Sequence, residues 1–154
     1  MPLTVNENNM DDLDVKVLNL LLSGSDSKTI AKELGKPLST VQRRIRNMTT
    51  QGIIRYSSEL NYPKLGLKKG LIHVYLQDGD MRSAAKKLLD FEGILEVATH
   101  IGNSDLVGTF VFTDSKEVLD LIANAKKLEG VEKVAWSEEV DVIKKNVKLR
   151  LNNS

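Results

Sequence analysis

The sequence has no cysteine, which removes disulfides, thiolate metal sites and cysteine nucleophiles together and suits a reducing compartment. It has only two histidines, so imidazole acid or base chemistry is confined to His73 and His100. No paired carboxylates stand in a catalytic pattern, and there is no metal-ligand cluster and no glycine-rich phosphate cradle. The residues therefore point to no catalytic group, no metal and no cofactor. No apolar run is long enough to span a bilayer, and the opening MPLTVNENNMDD lacks the basic start and apolar stretch of a secretory signal. These absences lead to the expectation of a soluble, cytoplasmic chain with no membrane partner. A large net charge is missing too, since 22 basic residues are set against 21 acidic ones.

What charge there is lies unevenly. Residues 1–66 hold nine basic and seven acidic side chains, and residues 67–154 hold thirteen and fourteen, so the basic excess is N-terminal. Between Lys36 and Ser58 there are five basic residues and no acidic one. A chain of 154 residues forms one domain or two small ones. At that size roughly two-thirds of the unfolded surface can be buried.

Three helices account for the N-terminal part. In Asp11 to Ser23, Leu13, Val17, Leu18, Leu21 and Leu22 form a broad apolar stripe, with Asp11, Asp12 and Asp14 at the end where negative charge favours a helix start. Ser25 to Gly35 reads as a compact second helix, capped by Ser25 or Asp26 and closed by a left-handed Gly35. In the third, Pro37 to Gly52, Leu38, Val41, Ile45 and Met48 recur at helical spacing and define the buried side. Ser39, Gln42, Arg43, Arg46 and Asn47 then face outward. Small and apolar Ala31, Gly35 and Val41 suit a tight corner between the second and third helices. The pattern is a helix-turn-helix, with double-stranded DNA as partner. Arg43 and Arg46 are the first candidates for base edges or nearby phosphates, with Gln42, Ser39 and Thr40 alongside, while Arg44 and Lys36 are expected to hold phosphates. The first ten residues, without periodicity, read as a frayed tail.

After Gly52 the period changes. Ile53 to Leu60 reads as a short extended segment, and Asn61-Tyr62-Pro63 with Gly66 punctuates the chain as a turn. Strand and helix then alternate: strands at Gly70–Gln77, Ile94–Ile101, Leu106–Phe112 and Val131–Trp136, and helices at Asp80–Phe91 and from Asp114, where Asp114-Ser-Lys-Glu117 forms a capping box. Val142–Leu151 is a candidate fifth strand. The order is the ferredoxin-like βαββαβ arrangement. The expected fold class is α+β, with a helix-turn-helix domain at 1–60, a hinge at 61–67 and a ferredoxin-like domain at 68–154. Two helices cover one face of such a sheet, yet Leu71 and Tyr75, and Val107 and Val111, make the other face apolar as well. That face needs a partner, most simply a second copy of the chain.

In DDLDVKVLNLL, IAKELGKPLSTVQRRIRNMTTQGII and the βαββαβ region containing HIGNSDLVGTFVF, the chain resembles the leucine-responsive regulatory protein (Lrp/AsnC) family of bacterial and archaeal transcription regulators. The resemblance covers nearly the full length. It implies a winged or plain helix-turn-helix, a hinge strand, and a second domain that dimerises through its sheet and assembles further, to tetramers or octamers. It also implies an amino acid or related small molecule bound between dimers near the loop Gly102-Asn103-Ser104-Asp105, whose residues are equally those of a plain hairpin turn. Pro37 departs from the family, which commonly caps this helix with Ser or Thr. Two other readings stand beside a sequence-specific regulator. One is an enzyme resembling the sirohaem decarboxylases, which share this body plan, with His100 as the better candidate and His73 as a packed or interface residue. The other is an architectural protein that coats or bends DNA.

Overall fold

The computed structural model of the protein describes residues 1–5 and 10–152. The chain divides into two compact units, one made of residues 1–58 together with 143–154, the other of residues 59–142.

The first unit is a three-helix core with a strand pair attached. Helix α1 (Asp12–Leu22) starts at Asp11, whose carboxylate accepts from the Asp14 amide while Asp14 accepts from the Asp11 amide, so both ends of the capping box are closed. Helix α2 (Ser27–Leu34) is capped by Asp26 and ends at Gly35, whose φ of 59° is left-handed and turns the chain into α3 (Leu38–Thr50). Val17, Leu18, Ile30, Ala31, Val41 and Met48 are buried together, with Leu38 and Ile45 packed against them. Most of the apolar residues whose spacing defined each stripe lie in or against this cluster, but Leu22, expected on the stripe of the first helix, is exposed at the end of α1.

The strand pair corrects the sequence reading at both ends of the chain. Leu3–Val5, expected in a frayed tail, forms strand β1, and Leu149–Leu151 forms β6, the last strand. The two pair in parallel, Leu3 with Leu149 and Val5 with Leu151. The segment Val142–Leu151 therefore adds no fifth strand to the ferredoxin-like sheet. Residues 143–154 group with the helix-turn-helix unit instead of the 68–154 domain in which they were expected. Side-chain chemistry fixes this docking: Asn19 of α1 donates to the Leu149 carbonyl at 2.9 Å and accepts from the Leu149 amide at 2.7 Å, so one side-chain amide satisfies both backbone groups of Leu149. Leu149 also packs against the helical core.

Residues 53–61 join no ladder. The Ile53 and Ile54 amides both return to the Met48 carbonyl, which finishes α3, and a single 3-10 turn at Tyr62–Leu65 precedes the second unit. That unit contains β2 (Lys68–Leu76), α4 (Met81–Leu89), β3 (Ile94–Thr99), β4 (Leu106–Phe112), α5 (Ser115–Lys126) and β5 (Val131–Glu138). The sheet order is β3-β4-β2-β5 and every neighbouring pair is antiparallel, which is the ferredoxin-like topology. Ile72, Val74, Leu106, Phe110 and Phe112 alternate onto one face and are buried with Ala84 and Leu88 of α4 and Val118, Leu121 and Ala125 of α5. On the other face Lys69, Leu71, His73 and Tyr75 of β2 lie beside Val107, Thr109 and Val111 of β4. The capping box expected at Asp114 is displaced by one residue. Asp114 caps the Lys116 and Glu117 amides, but Glu117 reaches back to the amide and hydroxyl of Thr113.

Candidate nucleic-acid interface and effector loop

Burial of Val41 and Met48 fixes the rotation of α3 about its axis. Ser39, Gln42, Arg43, Arg46 and Asn47 are exposed as a consequence, Thr40 is half-buried, and Lys36 stands exposed just ahead of the helix. The face contains two guanidiniums, two amides and a hydroxyl and no carboxylate, a set that can donate to phosphates and to base edges. Pro37 is the N-cap, one place earlier than a first-turn proline. It offers no side-chain cap, and its carbonyl accepts from the Thr40 and Val41 amides. Pro37 therefore leaves the start of α3, the end of a helix dipole that attracts anions, without a side-chain cap of its own.

Arg44 does not belong to this face. Its Nη1 lies 2.6 Å from Oδ2 of Asp11 and 3.2 Å from Oδ1 of Asp14, and Asp14 is a buried carboxylate. The structure engages Arg44 inside its own unit, as a tie between α3 and the start of α1, in place of the phosphate contact expected from the sequence. The two carboxylates are set in advance by the capping box of α1. The Asp14 amide, ahead of the Arg44 guanidinium, holds the Asp11 carboxyl below the usual carboxylate range, and the hydrogen bond to Asp11 raises Arg44 above its ordinary value. A sequence signal for this exists. Val41, Arg44 and Met48 stand at i, i+3 and i+7, which places the arginine on the border of the buried stripe. Asp26 is likewise held low, by the Thr29 amide that it caps.

The loop between β3 and β4 divides its four residues between two tasks. Gly102, at a φ of 136°, and Asn103 are exposed, whereas Ser104 is buried and Asp105 half-buried. Ser104 Oγ is 3.3 Å from Nδ1 of His73, on the sheet face away from the helices. Asp105 is fastened at three points. Its carboxylate accepts from the Leu76 amide at 2.7 Å, its own amide donates to the Val74 carbonyl at 3.1 Å, and its carbonyl accepts from the His100 amide at 2.8 Å. The loop therefore stands on the end of β2. It turns two of the four residues predicted for effector contact outward and commits the other two to internal bonds. His100 and Ile101 are exposed beside it, and sequence reasoning passed over Ile101, a fully exposed isoleucine. Among the described residues no group of three or more His, Cys, Asp or Glu stands where it would hold a metal. None of their helices is long and apolar enough to cross a membrane.

Residues 10–55 match the family described as winged helix-turn-helix DNA-binding. Among curated relatives, the HTH-type transcriptional regulator LrpA of Pyrococcus horikoshii is 30% identical over 132 residues, covering 81% of this chain and 92% of its own. Among solved structures, Escherichia coli AsnC superposes with a TM-score of 0.74 at 19% identity, over 90% of this chain and 98% of its own. A transcriptional regulator of Neisseria meningitidis, solved as an L-Met complex, superposes with a TM-score of 0.75 at 20% identity, over 92% and 96%. The two structures extend the likeness in fold across both units.

The Arg44 tie has a measurable weight. Arg44→Ala leaves the Asp14 carboxylate short of a partner and should lower the unfolding free energy by about 1–3 kcal/mol. The ionised Asp11 contributes about 0.5–1 kcal/mol, as an exposed pair does. Because its folded-state pKa lies below the unfolded value, that contribution is complete above about pH 4 and fades as pH falls through the lowered value. Asp11→Asn keeps a cap acceptor and drops the charge. The gap in urea midpoint between wild type and Asp11→Asn should therefore close on acidification below about pH 4, and an equal gap at neutral and acid pH would contradict the assignment.

Proposed function

The chain belongs to the Lrp/AsnC family of helix-turn-helix transcription regulators, and from that premise we propose that it is a cytoplasmic, sequence-specific DNA-binding regulator acting as a dimer or larger assembly under the control of an amino acid. The observation that carries the DNA reading is the exposed side of α3, where Arg43, Arg46, Gln42 and Ser39 stand together without an acidic neighbour on the helix. Arg43 and Arg46 take base edges or the phosphates nearest them. Gln42, Ser39 and Thr40 lie alongside, and Lys36 takes a phosphate next to the uncapped start of α3. Arg44 is left out of the contact set and acts by holding α3 in place.

A second copy of the chain is the partner proposed for the open sheet face. Leu71, Tyr75, Val107 and Val111 give that face an apolar centre, with Lys133 Nζ lying 5.1 Å from the centroid of the Tyr75 ring at its margin. A twofold pair would carry two α3 helices and suit a near-palindromic site with half-sites about one turn of DNA apart or a multiple of that.

The amino-acid reading draws on the L-Met complex of the Neisseria regulator and on the loop at Gly102 and Asn103. A loop that bonds to its own sheet with two residues and leaves two outward can change its contacts without losing its seat.

Selection of bound duplexes from a randomised pool, followed by titration of the selected duplex against a scrambled one, tests the DNA reading. A preference of about a thousandfold or more is expected, and a pool bound without enrichment would refute sequence-specific recognition. Arg43→Ala should weaken the selected duplex by about 1–3 kcal/mol and relax the preference at one or two positions. For assembly, Leu71→Asp should shift sedimentation toward monomer, and an unchanged profile would remove this face as the contact. For the effector, L-methionine and the other amino acids are titrated while DNA affinity and sedimentation are followed. Asn103→Ala should blunt whatever response the wild type gives, with DNA affinity in the absence of amino acid unchanged.

A further inference from the structure

The C-terminal segment changes the charge of the unit it joins. Residues 1–58 carry eight basic and six acidic side chains, residues 143–154 add four basic and none acidic, and residues 59–142 carry ten and fifteen. Docking of the segment therefore takes the helix-turn-helix unit from a net charge of +2 to +6, against −5 for the other unit. The segment is seated by backbone pairing to β1, by the Leu3 amide on the Lys148 carbonyl at 2.7 Å, and by the two bonds from Asn19.

Its side chains are sorted by the strand. Leu149 and Leu151 are half-buried, while Lys148 and Arg150 alternate onto the exposed side, about 7 Å apart along the chain at the rise of a strand. Nε of Arg150 donates to the Thr4 hydroxyl of β1 at 3.0 Å, which orients the guanidinium without neutralising it. Lys145 is exposed a few residues earlier. Among the described residues Lys145, Lys148 and Arg150 enter no ion pair. Three cations carried on or beside a strand pair of a DNA-reading unit, and left without carboxylates, have the chemistry of a phosphate contact.

We propose that Lys145, Lys148 and Arg150, presented by the β1–β6 pair and the chain leading into it, form a second DNA contact that grips the phosphate backbone outside the stretch read by α3. The proposal rests on the DNA reading above. It assigns the segment affinity without sequence information, since phosphate contacts position a protein and base contacts specify the site.

The test is a salt titration of duplex binding with the full chain. Removing one phosphate contact should flatten the plot of log affinity against log salt by about 0.9. The variant Lys145→Gln/Lys148→Gln/Arg150→Gln should reduce that slope by about 2 to 3 per protomer. At physiological salt it should bind the selected and the scrambled duplex more weakly by the same factor, on the order of ten or more. Hydroxyl-radical footprints should lose protection at the flanks only. Lys145→Arg/Lys148→Arg, which keeps the charge, should retain the slope, and circular dichroism melts monitor the fold of both variants.

Lys86→Gln/Lys87→Gln/Lys126→Gln removes the same charge from the other unit and should leave the slope and footprint as they are. An unchanged slope in the tail variant overturns the proposal, and so does an equal loss in this control, which would reduce the effect to net charge. If the wild type itself binds no duplex, the DNA reading falls with it. If the wild type binds and only the tail variant is indistinguishable from it, the tail alone is dismissed.

Discussion

A guanidinium held between two carboxylates sets the attitude of α3. Hydrophobic burial of Val41 and Met48 fixes which side of the helix faces inward, but apolar contacts are non-directional and tolerate sliding. Arg44 supplies the missing direction because its Nη1 must meet both Asp11 and Asp14 where the capping box of α1 has placed them. The exposed arginines therefore inherit their position from a half-buried charge that is engaged with Asp11 and Asp14. A helix start, a cap and an ion pair thus form one unit, in which a change at Asp14 would be felt at Arg43 and Arg46.

The second unit has a similar economy. Its central strand β2 carries the apolar face with Leu71 and Tyr75, and the same strand seats the loop through His73, Val74 and Leu76. Anything that shifts Ser104 or Asp105 must strain hydrogen bonds to β2, so a ligand proposed at the loop and a partner proposed at the face would act on one strand. Coupling of that kind needs no long chain of intermediates, only one element touched from two sides.

Periodicity carried most of the fold. The three helices, the βαββαβ order and the two faces of the sheet were legible because each rests on contacts between residues close in sequence or on strict alternation. The parallel pairing of Leu3–Val5 with Leu149–Leu151 was not legible, since two three-residue strands at opposite ends of a chain leave no local pattern that links them. The outward side of α3 was legible through its charge, yet composition could not separate Arg44 from Arg43 and Arg46. All three lie in one basic run, and only the position of Arg44 between Val41 and Met48 on the stripe distinguishes it. At the loop, the turn chemistry of Gly102 to Asp105 was visible, but turn-forming residues do not reveal which of them point inward. That division came from the geometry of the β2 end.

The parallel β1–β6 pair makes the DNA-reading unit discontinuous, with the whole of residues 59–142 interposed between its parts. On a ribosome, which releases the chain from its N-terminus, the three helices emerge and collapse while the strand that Asn19 binds has yet to be made. Val15 and Asn19, covered or bonded in the finished protein, stay open to water through that interval. The last strand therefore cannot be seated until residues 59–142 have been synthesised. In this order of events a nascent helix-turn-helix acquires its full positive charge only when translation of the second unit is complete.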